Sequence, residues 1–260
     1  LNNPDKITAN VAPYITIPTT AGTGAEITFG GGIHPEPNEP ALGIRSIHVR
    51  PDLAICDPEF TMTLPARLTA ATGMDALTHC VEGFLSNNSN PPIEAIALDG
   101  TWRVINYINQ AAADGNDREA RSQMSMAALE GGMSIYMGLG PIHALSMTFG
   151  DSPLHHGTLV TVVMPAVMRF YNNKIKDGAL EKIASAMGLR ADKESGNRIA
   201  DAVAEINSKL DLPSTVKKMG YDKTDIEKMV RDSCESHFNM TAPIRPNAQE
   251  YEKIIVEVLG

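Results

Sequence analysis

Along the first 60 residues the apolar positions come in short runs, at 14–17, 44–49 and 53–56, each closed off by glycine or proline. Runs of this length between turn residues predict short strands. From Pro65 onward the pattern changes. Ala, Leu, Met, Glu and Lys recur at three- and four-residue intervals, β-branched runs thin out, and the breaks fall at Pro and Gly, which predicts a helical remainder. The spacing predicts helices over 65–85, 92–113, 117–137, 141–148, 153–172, 178–187, 193–210, 214–219, 225–234 and 247–258. Several begin on proline, whose ring already holds a helical φ. No internal repeat or low-complexity tract interrupts this order. The expectation is therefore a β-rich head, residues 1–62, on an all-helical body, residues 63–260.

Composition narrows the partners. The 260 residues are 43% hydrophobic and 20% charged, enough for a sizeable core. The formal charge of −9 comes from 31 acidic against 22 basic side chains. With no basic run to offset it, neither nucleic acid nor an anionic membrane is an expected partner. Cys56, Cys80 and Cys234 are odd in number and far apart, without a CxxC pair, so neither a disulfide framework nor a zinc ribbon is expected. A reducing, cytoplasmic location fits that usage. No apolar run approaches the ~18 residues of a membrane span, and residues 1–6 lack the profile of a signal peptide.

Candidate chemistry sits in three places. In Thr72-Gly73-Met74-Asp75-Ala76-Leu77-Thr78-His79, the Asp and the last His stand four apart, so a helix projects both from one face. Such a pair alone is more often a surface pair than a ligand set. The small and apolar residues around it argue for burial, and a buried carboxylate needs a partner, which a cation would supply. His143 follows Gly140-Pro141 and His156 follows Pro153-Leu154-His155, which places both near helix starts. There the helix dipole disfavours imidazolium and keeps the ring free to bind metal. One carboxylate and three imidazoles, with no thiolate, suit a divalent transition metal such as iron or zinc. Third, the segment from Ile17 to Glu26 is a strand followed by small hydroxyl and glycine residues, which can approach phosphate or ribose closely. It is not a GxGxxG fingerprint, because Ile27 stands where the third glycine would fall.

In order along the chain, Pro18-Thr19-Thr20-Ala21-Gly22-Thr23-Gly24-Ala25-Glu26, Asp57-Pro58 with Leu64-Pro65, the Thr72 to His79 stretch and the two histidine segments resemble the iron-containing (group III) alcohol dehydrogenase family. The tail from Asn239 to Arg245 and the closing helix fit the same pattern. The resemblance implies an α/β remnant of a nicotinamide-binding domain joined to an all-α domain of the dehydroquinate-synthase-like fold. It implies metal ligands at Asp75, His79, His143 and His156, and cofactor contacts at Thr19, Thr20, Gly22, Thr23, Thr61 and Leu64. The activity implied is interconversion of an alcohol and an aldehyde or ketone by hydride transfer, with Fe2+ or Zn2+ and NAD or NADP. The expected partners are the small alcohol or aldehyde and a second copy of the chain, as a homodimer.

Three departures qualify the resemblance. The family's Gly-Gly-Gly-Ser phosphate loop has no counterpart among the 12 residues before Pro13, so these 260 residues alone are expected to hold dinucleotide poorly. Met147 stands where many members carry a further histidine. The doubled His155-His156 leaves two registers for the last ligand, and His156 is chosen because it directly precedes Gly157. Two other readings remain: a glycerol-dehydrogenase-like zinc enzyme of the same fold, and a metal-binding or dimerisation module without turnover of its own.

Overall fold

A computed structural model describes residues 6–33, 36, 42–150, 154–175, 177–221 and 225–260. At the head, β1 (Ile15–Thr16) and β4 (Leu53–Ala54) pair in parallel, with Ile15 opposite Leu53. Between them β2 (Gly30–Ile33) and β3 (Leu42–Arg45) form an antiparallel pair in which Gly30 faces Arg45 and Gly31 faces Ile44. β2 has no counterpart among the expected strands, because its three glycines carry no side-chain alternation. The expected strand 44–49 is broken: after Arg45, Ser46 accepts a hydrogen bond from the His48 N–H and turns Ile47–Val49 into a single 3-10 turn. Serine competes with the strand ladder in this way.

The body is helical, as the periodicity requires: α1 (Ala66–Leu85), α2 (Pro91–Ala113), α3 (Arg118–Ser134), α4 (Pro141–Ser146), α5 (His156–Tyr171), α6 (Ala179–Ala186), α7 (Ser195–Lys209), α8 (Ile226–Glu235) and α9 (Ala248–Leu259). Asp117, Asp225 and Asn247 cap their helices with side-chain oxygens, Asn247 in a full capping box with Glu250. The helix expected over 214–219 reduces to a turn at Lys217–Met219, ended by Gly220 at φ +90. The expected start of the fifth helix at Pro153 lies outside the described residues. Leu154 and His155 are not helical, so α5 begins at His156.

α1 is the central element. It packs against α2, α3 and α5, and nearly every side chain from Thr69 to Leu85 is buried, including Asp75, His79 and Glu82. A helix that is apolar on all sides has to lie inside. Met74 and Leu77 of α1, Ile108 of α2, Met124 of α3, Ile142 and Leu145 of α4 and Met164 and Met168 of α5 are fully buried around it.

The head is seated on this helix through glycine. A Cβ at Gly22 would stand 2.6 Å from the Thr72 carbonyl oxygen, and one at Gly24 (φ +68) 2.5 Å from the Gly132 Cα. Only a chain without side chains there can lie so close to α1 and α3. The Tyr136 hydroxyl donates to the Ile27 carbonyl at 2.7 Å. Arg121 of α3 donates to Thr69 Oγ1 at 2.6 Å and to the Leu64 carbonyl at 3.0 Å, fixing the segment that enters α1. Among the described residues no helix is long and apolar enough to cross a membrane.

Candidate metal centre

On α1 the four-residue spacing sets Asp75 and His79 side by side, with His79 Nε2 3.6 Å from Asp75 Oδ1 and both side chains 5% exposed. α4 begins after Gly140, with Pro141 in its first turn, and carries His143 with its ring stacked on His79 at a centroid distance of 5.0 Å. His156 opens α5 and brings Nε2 to 3.9 Å from Asp75 Oδ1, its ring 5.4 Å from that of His143. Gly157 makes this approach possible, because a Cβ there would lie 2.6 Å from the Ala71 carbonyl oxygen. The start of α5 therefore rests directly on the α1 backbone, one turn before Asp75.

One donor atom each from Asp75, His143 and His156 lie within 4.8 Å of one another. His79 stands beside this group, its ring lying along that of His143. His155, by contrast, is the exposed cap residue before α5. Met147, at the end of α4, is 44% exposed.

The electrostatics suit a cation. Burial alone would raise the Asp75 carboxyl, but the facing imidazoles of His79, His156 and His143 together hold it below the ordinary carboxylate value. Burial pushes His143 well below the ordinary imidazole value, and crowding by His79 and His156 adds to that. His156 is lowered too, chiefly by desolvation and against the pull of Asp75. Its side chain is 44% accessible, so solvent tempers that shift. At neutral pH Asp75 is a carboxylate and His143 and His156 are neutral imidazoles. Asp75 Oδ1, His143 Nε2 and His79 Nδ1 are buried without a hydrogen-bond partner among the described residues. Buried polar atoms are normally satisfied. A divalent ion among borderline nitrogen and oxygen donors fits these orphaned atoms.

Two neighbours were not singled out from the sequence. Glu82, buried one turn beyond His79, places Oε2 2.6 Å from His143 Nδ1 and accepts the Ile142 N–H at 2.7 Å. Burial raises its carboxyl to about 7, against the pull of the Ile142, Gly140 and His143 N–H groups. The signal for it was present, since 75, 79 and 82 follow the i, i+4, i+7 spacing of one helix face. Phe238, from the turn His237–Thr241, sets its ring 5.7 Å from His143. No periodicity links that turn to α4.

The threonine loop lies on the adjoining surface. Thr19 and Thr23 are exposed, Thr20 is half-buried, and Gly22 is buried against Thr72. Thr20 lines a narrow crevice with Pro18, Glu26, Cys56, Asp57 and Ser125. Thr61 is buried and donates its hydroxyl to the Pro58 carbonyl at 2.8 Å. Leu64 is half-buried, and its carbonyl accepts from Arg121 and Thr69. The three cysteines are all free thiols.

The model of the Fe-containing alcohol dehydrogenase family, C-terminal, matches residues 69–259, and that of iron-containing alcohol dehydrogenase matches residues 2–58. The chain belongs to the iron-containing alcohol dehydrogenase family. It is 40% identical over 259 residues to 4-hydroxybutyrate dehydrogenase of Cupriavidus necator, covering 96% of this chain and 66% of that one. It is 32% identical over 255 residues to NAD-dependent methanol dehydrogenase of Bacillus methanolicus, covering 96% and 67%. The fold superposes on a crystal structure of 1,3-propanediol oxidoreductase with a TM-score of 0.89 at 29% identity, covering 97% of this chain and 67% of that one. The chain thus spans about two thirds of the length of these relatives.

Proposed function

We propose that these residues form the metal-binding part, with one wall of the nucleotide site, of an enzyme that interconverts a small alcohol and its aldehyde or ketone by hydride exchange with a nicotinamide dinucleotide. The observation that carries this reading is the convergence of Asp75, His143 and His156, with buried donor atoms that nothing among the described residues satisfies. In this reading residues 1–62 belong to the nucleotide-binding unit and 63–260 to the metal-binding unit.

Asp75, His79, His143 and His156 would hold the ion, iron(II) by the family resemblance and zinc as the alternative the same donors accept. When bound, the divalent cation supplies Lewis-acid stabilisation of the negative charge that develops on the substrate oxygen. The protein's own groups do the rest. Asp75 offsets the cation's charge, and the two depressed imidazoles keep their lone pairs free at neutral pH. Phe238, whose ring lies beside His143, would give the alcohol an apolar wall that limits access of water. Thr19, Thr20, Gly22 and Thr23 would lie along the dinucleotide, with Thr61 and Leu64 at its edge, and the NAD named for the methanol-oxidising relative supports NAD as the carrier. The relative at 40% identity supports a short primary alcohol of the 4-hydroxybutyrate type as the substrate class. The widely separated free thiols support a reducing, cytoplasmic setting, and the family resemblance supports a homodimer.

Elemental analysis of purified protein tests the centre. We expect about one divalent ion per chain in the wild type and none in Asp75→Ala, with helical content retained in both. Metal-free wild-type protein that takes up no added iron or zinc would refute the reading.

A further inference from the structure

Beside the donor cluster, α1 places a second buried carboxylate whose oxygens, among the described residues, reach one of the cluster's residues and the backbone that carries it. Glu82 Oε2 stands 2.6 Å from His143 Nδ1, in a pair with side chains 1% and 3% exposed. Its Oε1 accepts the Ile142 N–H at 2.7 Å, and Oε2 also receives the His143 N–H at 3.4 Å. These are first-turn N–H groups of α4, which have no partner inside their own helix. We propose that Glu82 is the positioning residue of the centre, fixing both the tautomer and the direction of His143 so that its Nε2 lone pair faces Asp75 and His156. This rests on the metal-binding reading of those residues.

Either ring nitrogen of a neutral imidazole can carry the proton, and the partner of the other nitrogen decides which does. Both Glu82 oxygens already accept backbone N–H groups, Oε1 from Ile142 and Oε2 from His143, which favours the carboxylate, and at pH 8 an ionised carboxylate only accepts. Against Glu82, Nδ1 must therefore donate, and the lone pair falls on Nε2, the buried atom without a partner among the described residues. Two further contacts set the ring plane: the His79 ring stacks on one side at 5.0 Å and the Phe238 ring tilts against it at 5.7 Å. They can hold the ring in place, but neither can choose its tautomer.

A glutamine at 82 separates this role from plain capping. With one oxygen and one NH2, it can still accept the Ile142 N–H and keep the start of α4 in place. The NH2 then faces Nδ1 and donates to it, which moves the ring proton to Nε2, where no metal can bind. An acid kept only to cap α4 would be replaced by glutamine with little effect on the imidazole.

The experiment uses chelator-treated full chain at pH 8, wild type and Glu82→Gln, with ring nitrogens of His143 read by 15N NMR and cobalt(II) affinity read by chelator competition and visible absorption. We expect Nδ1–H in the wild type, Nε2–H in the variant, a roughly 10–100-fold weaker cobalt affinity, and an altered cobalt spectrum with unchanged circular dichroism. Retention of Nδ1–H with cobalt affinity within about twofold of wild type would overturn the proposal. Should the variant not fold, the wild type decides alone, since an Nε2–H tautomer for His143 in the metal-free protein also overturns it. Failure of the wild type to bind cobalt would instead overturn the metal reading, while the tautomer measurement still decides the role of Glu82.

Discussion

His155 and His156 are neighbours in the chain, yet only His156 approaches Asp75, with Nε2 3.9 Å from Oδ1. Successive helical side chains point ~100° apart, and His155 sits just before the helix in extended backbone, facing solvent. His156→Ala should therefore release the ion on gel filtration, while His155→Ala keeps its metal content within about twofold. The opposite outcome would move the centre by one residue. Asp75 and His79 were legible in the sequence because four-residue spacing in a buried segment has one geometric consequence, and His143 and His156 because proline and glycine announce their helix starts. Phe238 was not legible, since its place beside His143 depends on how a short turn near the end of the chain folds back over α4.

At the level of elements, helix periodicity survived folding and short-range competition did not. Nine of the ten expected helical stretches overlap an α-helix: Gly220 cut 214–219 to a single turn, the stretch expected from 153 became helical only at His156, and Ser46 diverted the expected strand 44–49 out of the sheet. β2 was invisible because Gly30, Gly31 and Gly32 carry no pattern, and its register is set by Ile44 and Arg45 across the ladder. The crossing of α2 and α3 holds another buried acid, Glu130, whose effect can be measured. Burial raises the Glu130 carboxyl to about 7, with Asp99 adding to the rise and Arg103 opposing it. Arg103 Nε donates to Oε1 at 3.3 Å and stands 3.2 Å from Oε2, which receives no well-directed hydrogen bond, and the same guanidinium also serves Asp99 and Gln123, so the ion pair does not compensate burial. The folded state thus holds this proton more tightly than the unfolded chain does. Its stabilising contribution is complete below about pH 4.5 and is lost as pH rises through about 7. Wild-type protein should lose on the order of 2 kcal/mol between pH 5 and pH 8 relative to Glu130→Gln, a difference that cancels the common effect of Glu82. Parallel pH profiles of urea midpoints for the two proteins would refute it.

Over the whole molecule the body and the head are unequal in what they bury. The helices enclose a continuous core, whereas Tyr14, Ile15, Ile17, Leu53, Ile55 and Phe60 around the β1–β4 pair are 42–56% exposed. A parallel pair of two-residue strands is a small fraction of the covered sheets in which parallel strands usually occur. The threonine loop is seated firmly on α1 and α3, so in the proposed reading it would offer one wall of the nucleotide cleft. Backbone donors of the kind that grip a pyrophosphate come from a glycine-rich loop at a helix start, and the described residues before α1 contain no α-helix. Dinucleotide affinity of these 260 residues alone should therefore be weak. We expect NADH fluorescence titrations to show no saturation up to millimolar concentration, and no measurable reduction of a short aldehyde such as succinic semialdehyde. A chain carrying the further third present in the relatives should reduce it with saturable dependence on NADH. Steady turnover by the 260 residues alone, saturable in cofactor, would mean that residues 6–62 hold a nucleotide through the Thr19–Glu26 loop and the β1–β4 pair without a phosphate-gripping helix.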